Sequence, residues 1–392
     1  MTRQLLIAGG GIGGLAAGVA GARAGWHVRV FEQAERFSEV GAGLQLGPNA
    51  TRVLAAWDLL EPVKAQACAP RRLVARDAAD GRELACLPLA QAFESRYGAP
   101  YLTIHRADLH AALLQAVQGL GASLHTGVRI AGFSQEGGCV RVDNGAPEQP
   151  EGEALVACDG LWSSLRTQVL GDAPPQPSDH VAYRGLLPMG SVPAASRAPD
   201  VTAWLGPRLH AVSYPVRGGE AMNIVCVVQE HTEGERTGWN HPGAAERLEA
   251  ALGPTCAALR ALVEAVPGWG KWVLHDRDPV AGPPEMARGR VALLGDAAHP
   301  MRPYLAQGAA MAIEDAAELG RVLAPVDEAV IDVPTALQRY ALNRWQRVAR
   351  VQRRSLRNAA IFHATGPVRW ARNAALRATG GALMDVPWLY RG

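Results

Sequence analysis

Lysine is almost absent from this sequence. Only Lys64 and Lys271 occur among 39 basic residues, so nearly all of the positive charge is arginine. The 37 acidic residues reduce the formal net charge to +2. Since proteins that bind nucleic acids usually carry a strongly basic balance, we expect no nucleic-acid partner.

Cysteine is also scarce and shows no useful spacing. The six cysteines, at positions 68, 86, 139, 158, 226 and 256, form neither a C-x-x-C pair nor a metal-binding pattern. A chain of 392 residues buries enough core to need no disulfides. We therefore expect a reducing, cytoplasmic setting and no metal.

Long apolar runs are missing as well. No run approaches the ~20 residues that a membrane-spanning helix requires. Arg3 precedes an apolar N-terminal stretch, but eight glycines between Gly9 and Gly25, together with Arg23, interrupt that stretch. This pattern favours a strand, a turn and a helix over a secretory signal. We expect a soluble protein with no membrane span.

The sequence is rich in glycine, with 43 residues, and three glycine-marked turns each follow a short apolar run. The first is Gly9-Gly10-Gly11-Ile12-Gly13-Gly14, after the run Gln4 to Ala8. Glycines at positions 9, 11 and 14 permit a sharp turn, close approach of a pyrophosphate to backbone N–H groups, and close helix packing. A second apolar run ends at Glu32, about 20 residues further on, where a carboxylate can accept ribose hydroxyls. These features predict a dinucleotide site and do not separate NAD from FAD.

The two later turns make that separation. Cys158-Asp159-Gly160 and the segment that follows it to Arg166 resemble the "DG" motif of the group A FAD-dependent aromatic hydroxylases, and Gly295-Asp296-Ala297-Ala298-His299-Pro300 resembles their "GD" motif. His105 to Leu109 resembles a region of the same family whose arginine contacts the FAD phosphates. The resemblance runs from residue 1 to about 370.

This resemblance implies a bound FAD and a set of residues that hold it. Asp296 follows an apolar run, and the family assigns this position to the ribityl chain. Gly308 and Ala309 open a helix whose N–H groups are placed to stabilise negative charge on a reduced flavin ring. The full set of expected cofactor contacts is Gly9, Gly11, Ile12, Gly13, Gly14, Glu32, Gln33, Gly43, Arg106, Val128, Asp159, Gly160, Asp296, Gly308 and Ala309.

The fold class expected is α/β: a Rossmann-type FAD-binding domain with an inserted, mostly antiparallel sheet that forms a substrate domain, and C-terminal helices. Strand-like runs separated by turn residues in the insertion support this expectation. The expected boundaries are 1–70, 100–178 and 283–330 for the FAD-binding domain, 71–99 and 179–282 for the substrate domain, and 331–392 for the helical region.

The best catalytic candidates lie in the run Leu209 to Val216 of the inserted sheet. The two-residue period of a strand places His210, Val212 and Tyr214 on one face. The resemblance implies that a histidine and a tyrosine at this spacing act on a phenolic ring, with Gln307 on the flavin side. His210 would then accept the phenol proton. Tyr101 and Tyr304 are further expected substrate contacts. Arg184 or another arginine is expected to bind the carboxylate of the substrate.

The C-terminal region has seven arginines and no acidic residue between Thr335 and Arg357. Leu337, Ala341, Trp345 and Val348 recur at helical spacing. A nucleic-acid groove would need aromatic residues alternating with the basic ones, which this segment does not provide. We expect a helix with a solvated or domain-bridging arginine face.

The resemblance implies an FAD-dependent monooxygenase that uses NADH or NADPH and O2, through a flavin hydroperoxide, to hydroxylate a small aromatic acid. A hydroxybenzoate, salicylate or a hydroxynicotinate is the expected substrate type. A hydroxylase of quinone biosynthesis, a flavin-dependent reductase or dehydrogenase, and a flavin-binding regulatory module remain alternatives. The sequence leaves open whether the protein forms a homodimer.

Overall fold

The structure is a computed structural model that describes residues 3–37, 42–230, 241–243, 245–327 and 330–392. The chain forms two compact units. The first unit comprises Met1–Glu39, Leu109–Gln176 and Asp276–Arg354. The second unit comprises Val40–Asp108, Pro177–His275 and Ser355–Gly392.

Both element types are distributed along the whole chain. The strands are β1 Gln4–Ala8, β2 His27–Phe31, β3 Gly43–Leu46, β4 Arg72–Asp77, β5 Glu83–Pro88, β6 Leu102–His105, β7 Ser123–His125, β8 Gly132–Glu136, β9 Cys139–Asp143, β10 Glu151–Gly152, β11 Ala154–Ala157, β12 Gln176–Pro188, β13 Val201–Gly206, β14 Leu209–Val216, β15 Ala221–Gln229, β16 His241–Gly243, β17 Trp269–Asp276, β18 Ala287–Arg288 and β19 Val291–Leu293. The α-helices are α1 Ile12–Arg23, α2 Pro48–Ala56, α3 Leu60–Gln66, α4 Gln91–Tyr97, α5 Arg106–Gly119, α6 Ser164–Leu170, α7 Ala245–Leu252, α8 Ala257–Glu264, α9 Gly308–Leu323, α10 Val333–Phe362, α11 Gly366–Thr379 and α12 Pro387–Tyr390.

The first unit is built on a six-stranded sheet with the order β18-β19-β11-β1-β2-β7. Strands β19, β11, β1, β2 and β7 pair in parallel, and β18 pairs antiparallel with β19. Residues Leu5 to Ala8 and Ala154 to Ala157 are all buried. Continuous burial explains why these strands read as apolar runs in the sequence and not as an alternating pattern.

Helices α1 and α9 pack together closely through small residues. A Cβ atom on Gly13 would lie 3.1 Å from Leu294 Cδ2 and 3.5 Å from Ala312 Cβ. Near the other end of the two helices, a Cβ on Gly320 would lie 3.0 Å from Ala20 Cβ. Larger side chains at these positions would push α9 away from α1.

The second unit is built on an eight-stranded sheet with the order β16-β17-β12-β15-β14-β13-β4-β5. Its described pairings are antiparallel except that of β13 with β4. One face carries the apolar core, where Leu209, Ala211 and Ile224 pack with residues of α7 and α8. The opposite face carries the even-numbered residues of β14, including His210 and Tyr214, because successive side chains of a strand alternate.

The expected fold class is confirmed, and the inserted sheet takes in residues 71–99 through β4 and β5. The division into units differs from the expected boundaries at several positions. Residues 40–70 and 100–108 belong to the second unit, because β3 pairs with β6 and not with the parallel sheet. Residues 331–354 belong to the first unit. None of the helices in the described part of the chain combines the length and apolar composition needed to cross a membrane.

Candidate active site

The three glycine turns of the first unit all lie at the carboxyl ends of neighbouring parallel strands. The chain leaves β1 at Ala8, β11 at Ala157 and β19 at Leu293. The N–H of Cys158 donates to Ala8 O at 2.7 Å, and the N–H of Leu294 donates to Ala157 O at 3.0 Å. Open parallel sheets bind their ligands at this edge. The turns that are far apart in the sequence therefore form one site.

The first turn has no room for side chains at two of its glycines. A Cβ on Gly9, whose φ is +104°, would lie 2.3 Å from Cys158 O. A Cβ on Gly14 would lie 1.9 Å from Gly9 O. Gly11 is the N-cap of α1, so no cap side chain covers the first N–H groups of that helix. The turn therefore presents backbone donors and a positive helix end to an anionic group.

Glu32 lies against this turn. One carboxylate oxygen, Oε2, accepts the N–H of Gly10 at 2.7 Å, and Oε1 accepts the N–H of Ala34 at 2.8 Å. On the other side of the turn, Nε2 of the buried His110 lies 2.8 Å from Gly10 O. These contacts fix the loop after β1 from two directions and hold an acidic group at its rim.

The second turn uses Asp159 mainly to organise its own segment. The carboxylate accepts the hydroxyl of Ser163 at 2.6 Å and the N–H of Leu165 at 3.3 Å. Burial raises the pKa of Asp159, and these hydrogen bonds oppose that effect. Gly160 has a φ of +80°, a conformation that favours glycine. The turn is thus shaped by a partly buried carboxylate and one glycine.

The third turn brings Asp296 beside the start of α9. A Cβ on Gly308 would lie 4.0 Å from Asp296 Oδ1. Gln307 is the N-cap of α9 and is buried, and no acidic residue occupies the first turn of the helix. Ala306, just before it, has a φ of +51°, which is unusual for a residue other than glycine. Gly308 and Ala309 therefore present their N–H groups next to a carboxylate.

A buried ion network supports this third turn from behind. Oδ2 of the fully buried Asp315 lies 2.5 Å from Nε2 of His299 and accepts the N–H of Gly295 at 3.2 Å. Its Oδ1 accepts Nε of Arg344 at 2.7 Å, and Arg344 also donates to Glu314 Oε2 at 2.8 Å. Because α9 and α10 each contribute charges, the network couples the GD turn to both helices.

The network corrects part of the expectation for the arginine-rich segment. Arg344 is buried, and Arg347 is largely buried and donates to both oxygens of Glu314. These two arginines are therefore ion partners inside the first unit and not members of a solvated face. The arginines at 339, 350, 353 and 357 are exposed, as expected.

The remaining expected cofactor contacts are distributed over both units. In the first unit, Ile12 is buried at the start of α1, Gln33 is exposed, and the N–H of Val128 donates to Glu32 O at 2.9 Å. In the second unit, Gly43 begins β3 and Arg106 begins α5. The structure thus gathers the contacts of the first unit at one sheet edge.

The first unit fits FAD on its own geometry. It offers a side-chain-free cradle with N–H donors for a pyrophosphate, an acidic rim at Glu32 for a ribose, and a carboxylate at Asp296 for a polyol chain. The uncapped end of α9 offers N–H groups to an electron-rich ring. The pyrophosphate, a ribose, the polyol chain and the flavin ring of FAD each match the chemistry of one of these groups.

The second unit carries the expected catalytic pair on one face of its large sheet. Tyr214 is buried and lies next to Gly43, where a Cβ atom would come within 2.5 Å of Tyr214 Cε2. His210 is buried further along β14. Between them, Val212 pairs with Val225, and both are partly exposed. The face therefore has an accessible apolar strip between an imidazole and a phenol.

A polar cluster surrounds the phenol end of this strip. Tyr101 donates its hydroxyl to Gln45 Oε1 at 2.7 Å, and burial raises the pKa of Tyr101 well above its usual value. Burial also raises the pKa of Tyr214, whereas the charge of Arg184 and a hydrogen bond to Gln45 oppose that effect. Asn223, opposite Tyr214 on β15, accepts the N–H of Gly43 at 2.7 Å. Sequence reasoning did not identify Gln45 or Asn223.

A second histidine contacts the candidate base. Nδ1 of His210 lies 2.8 Å from Nε2 of His363, and both side chains are buried. The pKa of His210 is lowered to about 3, first by desolvation and then by the charge of His180. His363 follows α10 and lies 153 residues away in the sequence. No local pattern in the sequence indicated this partner.

Arg184 and Tyr304 occupy different surroundings. The Arg184 guanidinium stacks on Trp272, 3.4 Å from the ring centroid, and is partly exposed. Tyr304 is buried in the first unit within the short 3₁₀ turn Pro303–Leu305. Burial raises the pKa of Tyr304, and the neighbouring Arg302 opposes that shift. Arg184 is therefore on the sheet of the second unit, whereas Tyr304 precedes α9 in the first.

Comparison with known proteins agrees with this geometry. The profile of the FAD binding domain family matches residues 2–355. The chain is 38% identical over 389 residues to 3-hydroxybenzoate 6-hydroxylase from Polaromonas naphthalenivorans, covering 98% of this chain and 95% of the relative. It is 36% identical over 355 residues to 6-hydroxynicotinate 3-monooxygenase from Bordetella bronchiseptica, covering 89% of this chain and 90% of the relative. Among solved structures, Klebsiella pneumoniae HpxO complexed with FAD and uric acid superposes with a TM-score of 0.86 at 25% identity, covering 99% and 96% of the two chains.

The fold, the family profile and these relatives define a flavoprotein of the aromatic-hydroxylase type. The chain belongs to the FAD binding domain family, and it is an FAD-dependent aromatic hydroxylase. FAD is its cofactor, and the reaction class is monooxygenation.

We expect Asp296→Ala to weaken FAD retention. A ribityl hydroxyl would lose a charge-assisted hydrogen bond, which contributes about 1.5–3 kcal/mol. Fluorescence titration of the apoprotein with FAD would therefore give a dissociation constant about 10- to 100-fold higher. Asp332→Ala is a matched control, because Asp332 caps the start of α10 through Thr335 N–H. Equal FAD affinity of the Asp296 variant and wild type would place the polyol chain elsewhere.

Proposed function

We propose that the protein hydroxylates a monocyclic phenolic acid of the hydroxybenzoate, salicylate or hydroxynicotinate type, with NADH or NADPH and O2 as co-substrates. The observation that carries this proposal is the partly exposed strip Val212–Val225, which has His210 on one side and Tyr214 on the other. The relatives named above act on 3-hydroxybenzoate and 6-hydroxynicotinate. A small flat ring with two polar substituents suits this arrangement.

His210 is proposed as the acceptor of the phenol proton. Its Nδ1 is engaged by His363, so Nε2 is the ring nitrogen assigned to the substrate. The pKa of His210 lies far below neutrality, at about 3, because of burial and the charge of His180. The imidazole is therefore neutral at working pH, so one of its ring nitrogens is an acceptor for the hydrogen bond of the phenol. Removing the phenol proton makes the ring electron-rich, which electrophilic hydroxylation requires.

Arg184 is proposed as the partner of the substrate carboxylate. It is directly opposite Val225 in the pairing of β12 with β15, and Val225 forms the strip with Val212. Stacking on Trp272 holds the plane of the guanidinium, and the fork of N–H donors on a guanidinium matches the two oxygens of a carboxylate. Tyr214 and Tyr101 then border the ring at the same end.

On the flavin side, Gln307, Gly308 and Ala309 are proposed to face the reacting ring system, with Tyr304 beside them. FAD, when bound, supplies electron transfer from the nicotinamide and activation of O2. The N–H groups at the start of α9 stabilise negative charge on the reduced ring.

The unpaired state of the six cysteines supports a reducing, cytoplasmic setting.

A panel of aromatic acids tests the substrate proposal. Purified FAD-loaded protein is mixed with NADH or NADPH and with 3-hydroxybenzoate, 4-hydroxybenzoate, salicylate, 6-hydroxynicotinate or a prenylated phenol. We expect a short hydroxylated acid to stimulate nicotinamide oxidation and yield a hydroxylated product. Arg184→Met should raise KM for that acid far more than it lowers kcat, because it removes binding of the carboxylate. Turnover of only the prenylated phenol would replace this proposal with a quinone-pathway substrate.

A further inference from the structure

The second unit contains three buried histidines that no other feature of the site explains. His210 and His363 share a hydrogen bond of 2.8 Å. The ring centroids of His180 and His363 are 5.1 Å apart, and Gln229 Nε2 lies 3.5 Å from His180 Nε2. His180 and Gln229 face each other across β12 and β15, and His363 comes from the end of α10. Two distant chain segments, β12 and the residues after α10, therefore bring imidazoles close to the candidate base on β14.

We propose that His210 and His363 act as one proton acceptor, in which His363 takes up the proton that would otherwise stay on His210. This inference rests on the proposed role of His210 as the base. His363 is then a positioning and proton-storing residue, since it acts through His210 and not on the ring.

The proton balance is closed within the pair and the substrate. The phenol O–H bond breaks and an N–H bond forms at His210 Nε2, while the Nδ1–H bond of His210 breaks and an N–H bond forms at His363 Nε2. His210 ends neutral with its proton on Nε2, and the positive charge is on His363. Once the ring of the product is aromatic again, the reverse transfer returns this proton from His363 through His210 to the same ring oxygen.

The physical need for a partner follows from burial. A lone imidazole in this position is a weak base, because desolvation lowers the pKa of His210 to about 3. When a neutral partner accepts a hydrogen bond from the imidazolium, the charge-assisted bond is roughly twice as strong as a neutral one. The pair thus holds a proton that a single buried histidine would give up.

The backbone around His363 fixes the geometry of the pair. The N–H of Arg208 donates to His363 O at 3.0 Å, one residue before β14 begins. Arg372 donates to the carbonyl oxygens of Ile361 and Phe362 at 3.1 and 2.8 Å. The Phe362 ring lies edge-on to His210, with centroids 5.4 Å apart. The segment at the end of α10 that carries His363 is therefore hydrogen-bonded directly to the residue that precedes the strand of His210.

Two substitutions separate proton storage from simple orientation. In His363→Gln the amide oxygen still accepts the Nδ1–H of His210, but the amide cannot take a proton. His363→Ala removes the partner and leaves a space that free imidazole fills. The readout is ionisation of the bound substrate, measured near neutral pH as the phenolate absorbance of 6-hydroxynicotinate or 3-hydroxybenzoate on oxidised, FAD-loaded protein without NAD(P)H.

We expect both variants to bind the acid but to lower the ratio of bound phenolate to bound phenol by about 10- to 100-fold. Imidazole should restore the ratio in His363→Ala and not in His363→Gln. A wild-type ratio in His363→Gln would overturn the proposal, since orientation alone would then be enough. If the ratio of bound phenolate to bound phenol is unchanged in His210→Ala as well, His210 is not the base. If the ratio falls in His210→Ala but not in the His363 variants, His210 remains the base and the proton-storing role of His363 is rejected.

Discussion

Replacing His210 by alanine is expected to slow ring hydroxylation by about 10²- to 10⁴-fold, the usual contribution of a positioned general base. Reduction of bound FAD by NAD(P)H should remain largely intact, because His210 lies on the sheet of the second unit, whereas the glycine turns that fit FAD belong to the first unit. Reducing equivalents that fail to reach the substrate should appear as hydrogen peroxide. The measurement is product formed per NAD(P)H oxidised at equal FAD content.

Ser213→Ala is the matched control for this variant. Ser213 is equally buried and lies on the same strand, but its odd-numbered position points to the opposite face of the sheet. This control shows how much stability is lost when a buried side chain of β14 is shortened. It should not uncouple NAD(P)H oxidation from hydroxylation. An unchanged product ratio and rate in the histidine variant would assign His210 to packing, and Tyr214 or Tyr304 would become the next candidate for the proton acceptor.

Replacing Arg344 by alanine is expected to lower the free energy of unfolding by about 3–5 kcal/mol, the cost of leaving a buried charge without its partner. Arg344 bonds both Asp315 and Glu314, and Arg347 compensates only the second of these. Urea denaturation of the apoprotein measures the loss. Arg339→Ala, an exposed arginine of the same helix, should change stability by no more than about 0.5 kcal/mol.

The same network predicts a specific dependence on pH. Burial raises the pKa of Asp315, but the charges of His299 and Arg344 and their hydrogen bonds outweigh burial and lower it to about 2. A carboxylate whose pKa is depressed on folding adds stability that is fully present above about pH 4 and is lost as the pH falls towards 2. This acid-labile component should be missing in Asp315→Asn. If the double variant of Asp315 and Arg344 loses the full sum of the two single losses, the two side chains do not interact.

The geometry of the three glycine turns was predictable because its requirements are local. At Gly9 and Gly14 a Cβ atom would collide with the neighbouring backbone, so only glycine fits there and the turn can be identified from the sequence. Short apolar runs before each turn identified three strands, and their parallel pairing brought Asp159 and Asp296 to one edge. Alternation along β14 likewise placed His210 and Tyr214 on one face.

The partners of these residues were not predictable from the sequence. His363 meets His210 only because the chain returns to β14 after the long helix α10, and a lone histidine near the end of a helix has no local pattern. Arg344 resembled a solvated arginine, because its acidic partners lie on a different helix, 29 and 30 residues earlier. Gln45 and Asn223 are polar residues that each stand among apolar neighbours in a mostly apolar strand. Such contacts depend on tertiary packing and not on periodicity.

Incorporation of oxygen from labelled dioxygen is the most direct test of the account. The purified, FAD-loaded protein is supplied with NAD(P)H, isotope-labelled O2 and the phenolic acid that best stimulates nicotinamide oxidation. The mass of the product is then measured by mass spectrometry. We predict one labelled oxygen atom per hydroxylated ring. A product whose new oxygen comes from water, or nicotinamide oxidation without any hydroxylated product for every acid tried, would contradict the assignment of this site to aromatic hydroxylation.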